Sequence, residues 1–350
     1  IVLYFLDKIN IVNFYFYNYF ILSVLIVAFA FIFNRPDFNF RSGWLLPKNE
    51  FKKYFKEFYI YSRPLFFYSL IGLIVGISDR WLLQKFGGSI QQGFFELSLQ
   101  IGVICFVFTN SSTQLITREL SIAFKNDNIV EMKNIFRRYV PLLYGISAFL
   151  SCFIVVNADI ITIIFGGRQF TSATVAIAIM AFYPIHQTYG QLSGAVFYAM
   201  GDTSRYSKIG MIFMLIGLPI SFFLIAPVDL LGLNAGANGL AIKFVLVQFS
   251  AVNVMLYFNS KTLGLNFIKY LFHQIGVVSY FLLLCFISKY IINGLMSIEE
   301  NGEIGFFIAG VIYVIIAAVS AYFYPIIFGL NKIDIANGIN SINRSIKKQI

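Results

Sequence analysis

The chain has 350 residues, of which 59% are hydrophobic, 18% aromatic and only 12% charged, with mean hydropathy +0.78. Soluble domains carry about 25% charged residues, and no soluble fold of this length hides so much apolar surface, so a cytosolic enzyme, a secreted disulfide scaffold, a disordered chain and a nucleic-acid-binding domain are excluded. The net charge of +10 is explained by where the basic residues fall along an all-α, polytopic membrane chain.

A helix crossing the hydrocarbon core needs about 20 apolar residues. Stretches nearly free of charge predict nine transmembrane helices, at 11–33, 64–85, 94–116, 139–158, 173–198, 207–227, 235–258, 267–291 and 304–329. The length of these runs and their lack of strict alternation argue for helices over barrel strands. The first run has neither a basic start nor a small-residue cleavage site, so it reads as an ordinary span rather than a signal segment. The chain opens on Ile1 instead of Met, which leads us to expect that native N-terminal sequence is missing.

Between the first two spans lies the longest polar stretch, 35–63. Its second half, Phe51-Lys52-Lys53-Tyr54-Phe55-Lys56-Glu57-Phe58, mixes aromatics with lysines. That pattern fits a helix at headgroup level or a solvated connector equally well. Span two carries Gly72 and Gly76, a packing signal common in membrane helices, and ends in Asp79-Arg80-Trp81. Adjacent helix residues do not face each other, so Asp79 and Arg80 are not a self-contained pair. Segment 118–138 reads as a second amphipathic link, between spans three and four.

Span five is polar along one strip: Tyr183, His186, Gln187, Gly190 and Gly194 recur at three- and four-residue spacing. Pro184 predicts a kink there. The strip fits either a cavity wall or a helix–helix seam. In span seven Lys243 sits roughly 14 Å deep at 1.5 Å per residue, where a lysine costs about 2.5–3.5 kcal/mol. It therefore needs a water-filled cavity or an acidic partner: the bland readings are a structural pair with Asp79 or Glu96, or a lysine that snorkels outward, and the functional reading is a cation lining a pathway for an anionic substrate. Gly236 and Gly239, one and two turns away, leave room for a close neighbour.

Lys and Arg in short loops set orientation. Twenty basic residues fall on one side, in 35–63, 118–138, 201–208, 259–269 and the tail, against five (Lys8, Arg80, Lys85, Arg168 and Lys289) on the other. The richer side, with the C-terminus, is predicted cytoplasmic.

No nucleophile motif or phosphate-cradling loop is present. Cys105, Cys152 and Cys285 are far apart, and His186 and His273 are isolated, so no disulfide, metal or cofactor is predicted. The outer loops are too short for the extramembrane domain of a glycosyltransferase or glycan polymerase. The chain is expected not to be an enzyme.

Several features together resemble a known family. Arg63-Pro64-Leu65 opens a helix that ends in Ser78-Asp79-Arg80-Trp81-Leu82-Leu83. Gly87-Gly88 and Gly93-Phe94-Phe95-Glu96 follow, then Ile164-Phe165-Gly166-Gly167-Arg168-Gln169-Phe170 before span five and Met200-Gly201-Asp202-Thr203-Ser204-Arg205 after it. In order, spacing and topology the chain resembles bacterial O-antigen and polysaccharide flippases, the lipid-linked oligosaccharide exporters of the superfamily that also holds multidrug and toxin extrusion transporters. The resemblance implies two six-helix lobes around a central cavity, often followed by two extra helices. It assigns 1–34 to the last helix of an absent N-terminal lobe, 35–63 to the cytoplasmic inter-lobe link, 64–260 to the six-helix C-terminal lobe, 261–331 to two additional transmembrane helices and 332–350 to a cytoplasmic tail. It further implies a bacterial cytoplasmic (inner) membrane protein of lipopolysaccharide or capsule biosynthesis. Such a protein moves an undecaprenyl-pyrophosphate-linked oligosaccharide by alternating access, with membrane lipid and polysaccharide assembly proteins as partners, and without nucleic acid. Lys243, Arg80, His186, Gln187 and Tyr183 are the candidate pathway residues. A drug exporter or peptidoglycan-precursor flippase of the same fold is the alternative, but a drug exporter would want buried carboxylates, and the spans offer only Asp79 and Glu96.

Overall fold

The computed structural model describes residues 11–32, 47–292 and 303–329. The expectations for Lys8, for the start of the link at Arg35 and Arg41, and for the tail 332–350 fall outside these residues. Every regular element among them is helical, and the chain is a polytopic all-α membrane protein. Six of the described helices are long and apolar enough to cross a membrane.

The helices are α1 (Ile11–Ile32), α2 (Lys48–Ile104), α3 (Val107–Lys125), α4 (Ile129–Val156), α5 (Ala158–Gly166), α6 (Thr174–Met180), α7 (Tyr183–Ala199), α8 (Thr203–Ile225), α9 (Gly236–Leu263), α10 (Phe267–Ile291) and α11 (Glu303–Phe323). Of the nine expected spans, the first is described as an apolar helix only over Phe16–Phe29, too short to count, and the rest of the difference has local causes. Span two and the first part of span three are joined in α2, whose only non-helical residue is Gly88, at φ 70° and ψ −175°, and span three itself turns at Cys105–Phe106 between α2 and α3. A side chain at that φ would be strained, so the sequence breaks the rod at a glycine. Span five is divided at Ala181–Phe182, immediately before Pro184 at the start of α7, where a missing N–H is harmless.

The chain divides into two units, residues 1–59 and 60–350. In the first unit α1 presents exposed apolar residues from Phe16 to Phe29. The segment 48–59 is helical. Phe51, Tyr54, Phe55 and Phe58 fall at helical spacing on it and are exposed, as are Lys52, Lys53 and Lys56.

In the second unit the predicted amphipathic link 118–138 is helical for most of its length. It is the continuation of α3 and α4, which meet at a turn over 126–128. Ile116, Leu120 and Ala123 bury one stripe of α3, and Met132, Ile135 and Phe136 one stripe of α4. The charges that suggested a link lie on the outer faces. Asn128 caps α4 by accepting from the Glu131 N–H at 2.9 Å.

Two apolar cores share α9. Val252, Leu256 and Leu263 join α3, α4, α7, α10 and α11. Ala237, Leu240 and Ala241 join α2, α5 and α6. Lipid tails are as apolar as Leu, so helix association here relies on close packing and interhelical hydrogen bonds, each worth about 0.6 kcal/mol. α7 is tied to α3 by Thr109–Thr188 at 3.0 Å, Thr113–Gln191 at 3.0 Å and Gln191–Asn110 at 2.9 Å. Asn259 on α9 donates to the Ser193 carbonyl at 3.0 Å. α10 and α11 enter the first core through Phe281, Cys285, Tyr313 and Ala317, and the Tyr144 hydroxyl donates to the Gln274 carbonyl at 3.2 Å.

The α3–α4 turn offers a direct reading of orientation. Asn126 is exposed, whereas Cys105, Cys152 and Cys285 are at most 1% exposed. An Asn126→Cys variant is expected to react with a membrane-impermeant maleimide only after cells are permeabilised, while the parent protein stays unlabelled. Labelling in intact cells would invert the predicted topology.

Candidate functional site

A polar cleft runs between α2, α7, α8 and α9. At one level Lys243 of α9 is 5% exposed and Asp79 of α2 is 2% exposed. The Lys243 Nζ donates to Asp79 Oδ2 as a buried salt bridge, and the Ser221 hydroxyl of α8 donates to Asp79 Oδ1 at 2.5 Å. Gly217 makes this possible. A Cβ there would lie 2.7 Å from Lys243 Cε, so the lysine stem lies directly on the α8 backbone. The costly intramembrane cation is therefore neutralised, by the first of the two carboxylates the sequence offered. The second, Glu96, pairs with Arg80 at 2.8 Å.

This level opens into a cleft of about 260 Å³ lined by Gly72, Gly76, Asp79, Tyr183, Lys243 and Gln248 among others. Gly72 and Gly76 are not a close helix contact: a Cβ at Gly76 would meet nothing within 4 Å, and one at Gly72 only the end of Met214, at 3.5 Å. They leave space in the cleft wall. Gly236, against Gln91, and Gly239, against the Leu224 carbonyl, do admit close neighbours. Gln91 also accepts from the Ala237 N–H at 2.9 Å and so anchors the start of α9.

A second cleft, of about 160 Å³, adjoins the first and shares Tyr183, Met214, Val247 and Gln248 with it. Its polar wall is Tyr68, Tyr183, Gln187, Gln191, Tyr206 and Gln248. Gln248 Nε2 donates to Gln187 Oε1. Tyr206 packs between Tyr68, at 5.4 Å, and Tyr198, at 4.9 Å, with its ring tilted against both. Gly190 and Gly194 of the polar strip seat Gln248 and Tyr206, and Gly210 of α8 seats the Tyr68 ring.

Of the span-five strip, Tyr183, Gln187 and Gly190 line the cleft and Gly194 seats Tyr206. The seam with α3 and α9 is made by the neighbouring Thr188, Gln191 and Ser193, and Gln191 lines the cleft as well. Of the five predicted pathway residues, Lys243, Tyr183 and Gln187 come together here. Arg80 does not: it lies half exposed in its pair with Glu96. His186 packs its ring on Phe249 at 4.8 Å and lines neither cleft. Sequence reasoning missed Ser221, Gln248, Tyr68 and Tyr206. Gln248 was visible as an amide one and a half turns from Lys243; the tyrosines, close to basic loops, look like members of an interfacial belt.

Fold and cleft define a multi-pass helical membrane protein with a buried charge pair and an amide- and phenol-lined groove. The chain is similar to the capsular polysaccharide biosynthesis protein CapF of Staphylococcus aureus, with 26% identity over 207 residues, 58% of this chain and 50% of that protein. The chain thus spans about half the length of this curated relative. No protein-family profile matches, and no solved structure matches.

Proposed function

We propose that this chain forms part of a translocase for lipid-linked oligosaccharides of surface-polysaccharide assembly in a bacterial cytoplasmic membrane, working by alternating access and carrying out no chemistry on its cargo. The observation that carries the reading is the polar cleft inside an apolar helix bundle. A lipid-linked sugar cannot take its polar head through hydrocarbon unaided, and the cleft supplies hydrogen-bonding groups along such a path. The similarity to a capsular polysaccharide biosynthesis protein supports the same setting. In this reading 64–260 act as one lobe, with 261–331 as two added helices. A drug-exporter reading is disfavoured because Asp79, the one carboxylate lining the two clefts, is already paired with Lys243.

Deleting the gene for the full-length protein is expected to abolish surface glycan and to make undecaprenyl-linked units accumulate on the cytoplasmic leaflet. Complementation with the full-length gene should reverse both. Normal surface glycan in the deletion strain, or loss of glycan without accumulation of the lipid-linked unit, would reject translocation.

A further inference from the structure

We infer that the smaller cleft is a subsite for an uncharged sugar ring of the cargo and not for its diphosphate. The inference rests on the translocase reading and assigns a chemistry to one part of its path.

Charge decides first. Among the residues lining the two clefts, Lys243 is the sole cation and Asp79 the sole carboxylate, and they are bonded to each other. The cleft is electroneutral, and binding a phosphate at Lys243 would first require expelling a carboxylate that also accepts from Ser221. Tyr183 and Gln248 line both clefts, but the far end of the subsite lies away from that pair: Tyr68 and Asp79 are eleven positions apart on α2, roughly 16 Å at 1.5 Å per residue.

Hydrogen-bond capacity decides next. Gln248 Nε2 donates to Gln187 Oε1, while Gln187 Nε2, Gln248 Oε1 and the Tyr183 hydroxyl have no side-chain or backbone partner among the described residues. The wall thus offers a donor, an acceptor and a phenol that can be either. An apolar occupant would leave all three unpaired, at a cost. A sugar ring matches them, because its hydroxyls both donate and accept while its C–H faces lie against aromatic rings. Tyr68, Tyr183 and Tyr206 supply those rings, and Gly194 and Gly210 hold Tyr206 and Tyr68 in place: a Cβ at Gly210 would lie 2.3 Å from Tyr68 Cε2.

Size decides last. About 160 Å³ is below the roughly 300 Å³ minimum of sites for drug-sized ligands and suits a single ring. The adjoining cleft of about 260 Å³ gives the neighbouring residue of an oligosaccharide a place to continue.

The test uses the full-length protein in lipid nanodiscs and two probes: the free oligosaccharide released by mild acid from the host's own lipid-linked units, and inorganic pyrophosphate. Saturable binding of the oligosaccharide is expected, with no competition from pyrophosphate. Gln187→Leu and Gln248→Leu should each weaken it about tenfold, as expected for one or two lost hydrogen bonds. Tyr183→Phe, which removes a single hydroxyl, should weaken it less, and Arg80→Ala should leave it unchanged. Competition by pyrophosphate, or wild-type affinity in both glutamine variants, would overturn the sugar subsite. So would absence of oligosaccharide binding by a protein that complements export, and in that case the translocase reading would survive. Binding with the expected variant pattern by a protein that does not complement export would keep the sugar subsite and remove the translocase.

Discussion

Lys243→Ala is expected to be among the most damaging single substitutions in the chain, and for a reason centred on its partner. Asp79 is 2% exposed; without the ammonium it becomes an uncompensated buried charge, and breaking one side of such a pair costs about 3–5 kcal/mol. Thermal unfolding in detergent should show a large drop in Tm for Lys243→Ala and for Asp79→Leu. The double variant Asp79→Leu/Lys243→Met should recover most of it, because replacing both members of a buried pair with apolar groups is often close to neutral. Lys243→Arg keeps the charge but meets the α8 backbone at Gly217, where the lysine stem already sits within contact of the glycine, so partial recovery is expected. Export measured alongside stability separates two roles. A double variant that folds and exports would make the pair a purely structural device; one that folds and does not export would place the charges in the transport cycle. Wild-type stability of Lys243→Ala would contradict the buried pair itself.

Gly232→Ala should be nearly as severe, though it touches no cleft residue. Gly232 lies in the loop between α8 and α9, and a Cβ there would stand 2.0 Å from the Ala226 carbonyl oxygen. The loop has little freedom to move aside. The Gly232 N–H donates to the Pro227 carbonyl at 3.1 Å, Leu233 to Phe223 at 2.8 Å, Asn234 to Ala226 at 2.9 Å and Ala235 to Leu224 at 2.9 Å. Relief of the clash must break some of these bonds, with a loss of about 1–3 kcal/mol for the overpacking alone. Because α8 carries Ser221 and Gly217 and α9 carries Lys243, a shifted loop also misaligns the charge pair. Gly76→Ala is the control: its Cβ would meet nothing within 4 Å, and alanine favours the helix by up to about 1 kcal/mol over glycine. Equal Tm values for Gly232→Ala and the parent would mean that the loop relaxes freely.

The positions of several elements were legible because they depend on local chemistry. Pro184 marked the interruption of span five, and the gap expected between spans two and three contains Gly88, whose positive φ breaks α2, since a missing N–H and a positive φ act at the residue that has them. The helical ends within the link 118–138 were not legible for a related reason. Arg118, Lys125, Lys133, Arg137 and Arg138 signal a polar environment, but charge on one face of a helix does not end it, and Ile116, Leu120, Ala123, Met132 and Phe136 keep the opposite face buried. Gly72 and Gly76 carried the pattern of a tight helix pair, yet the same two small residues serve as open wall, because the pattern says that a neighbour can approach and not whether one does.

By itself the sequence determined that this chain lives in a membrane as a helical bundle, since 59% hydrophobic and 12% charged residues leave no soluble alternative, and it singled out Lys243 as a charge in need of compensation. Which residue compensates it was decided only by tertiary structure. Asp79 is 164 positions away, Glu96 was an equal candidate by composition, and the choice follows from α2 placing Asp79 toward Ser221 and α9 while Glu96 meets Arg80. The cleft arose in the same way. Its tyrosines, glutamines and glycines come from four helices, and each helix period records only which side of its own axis is polar, so their convergence exists only once the helices pack.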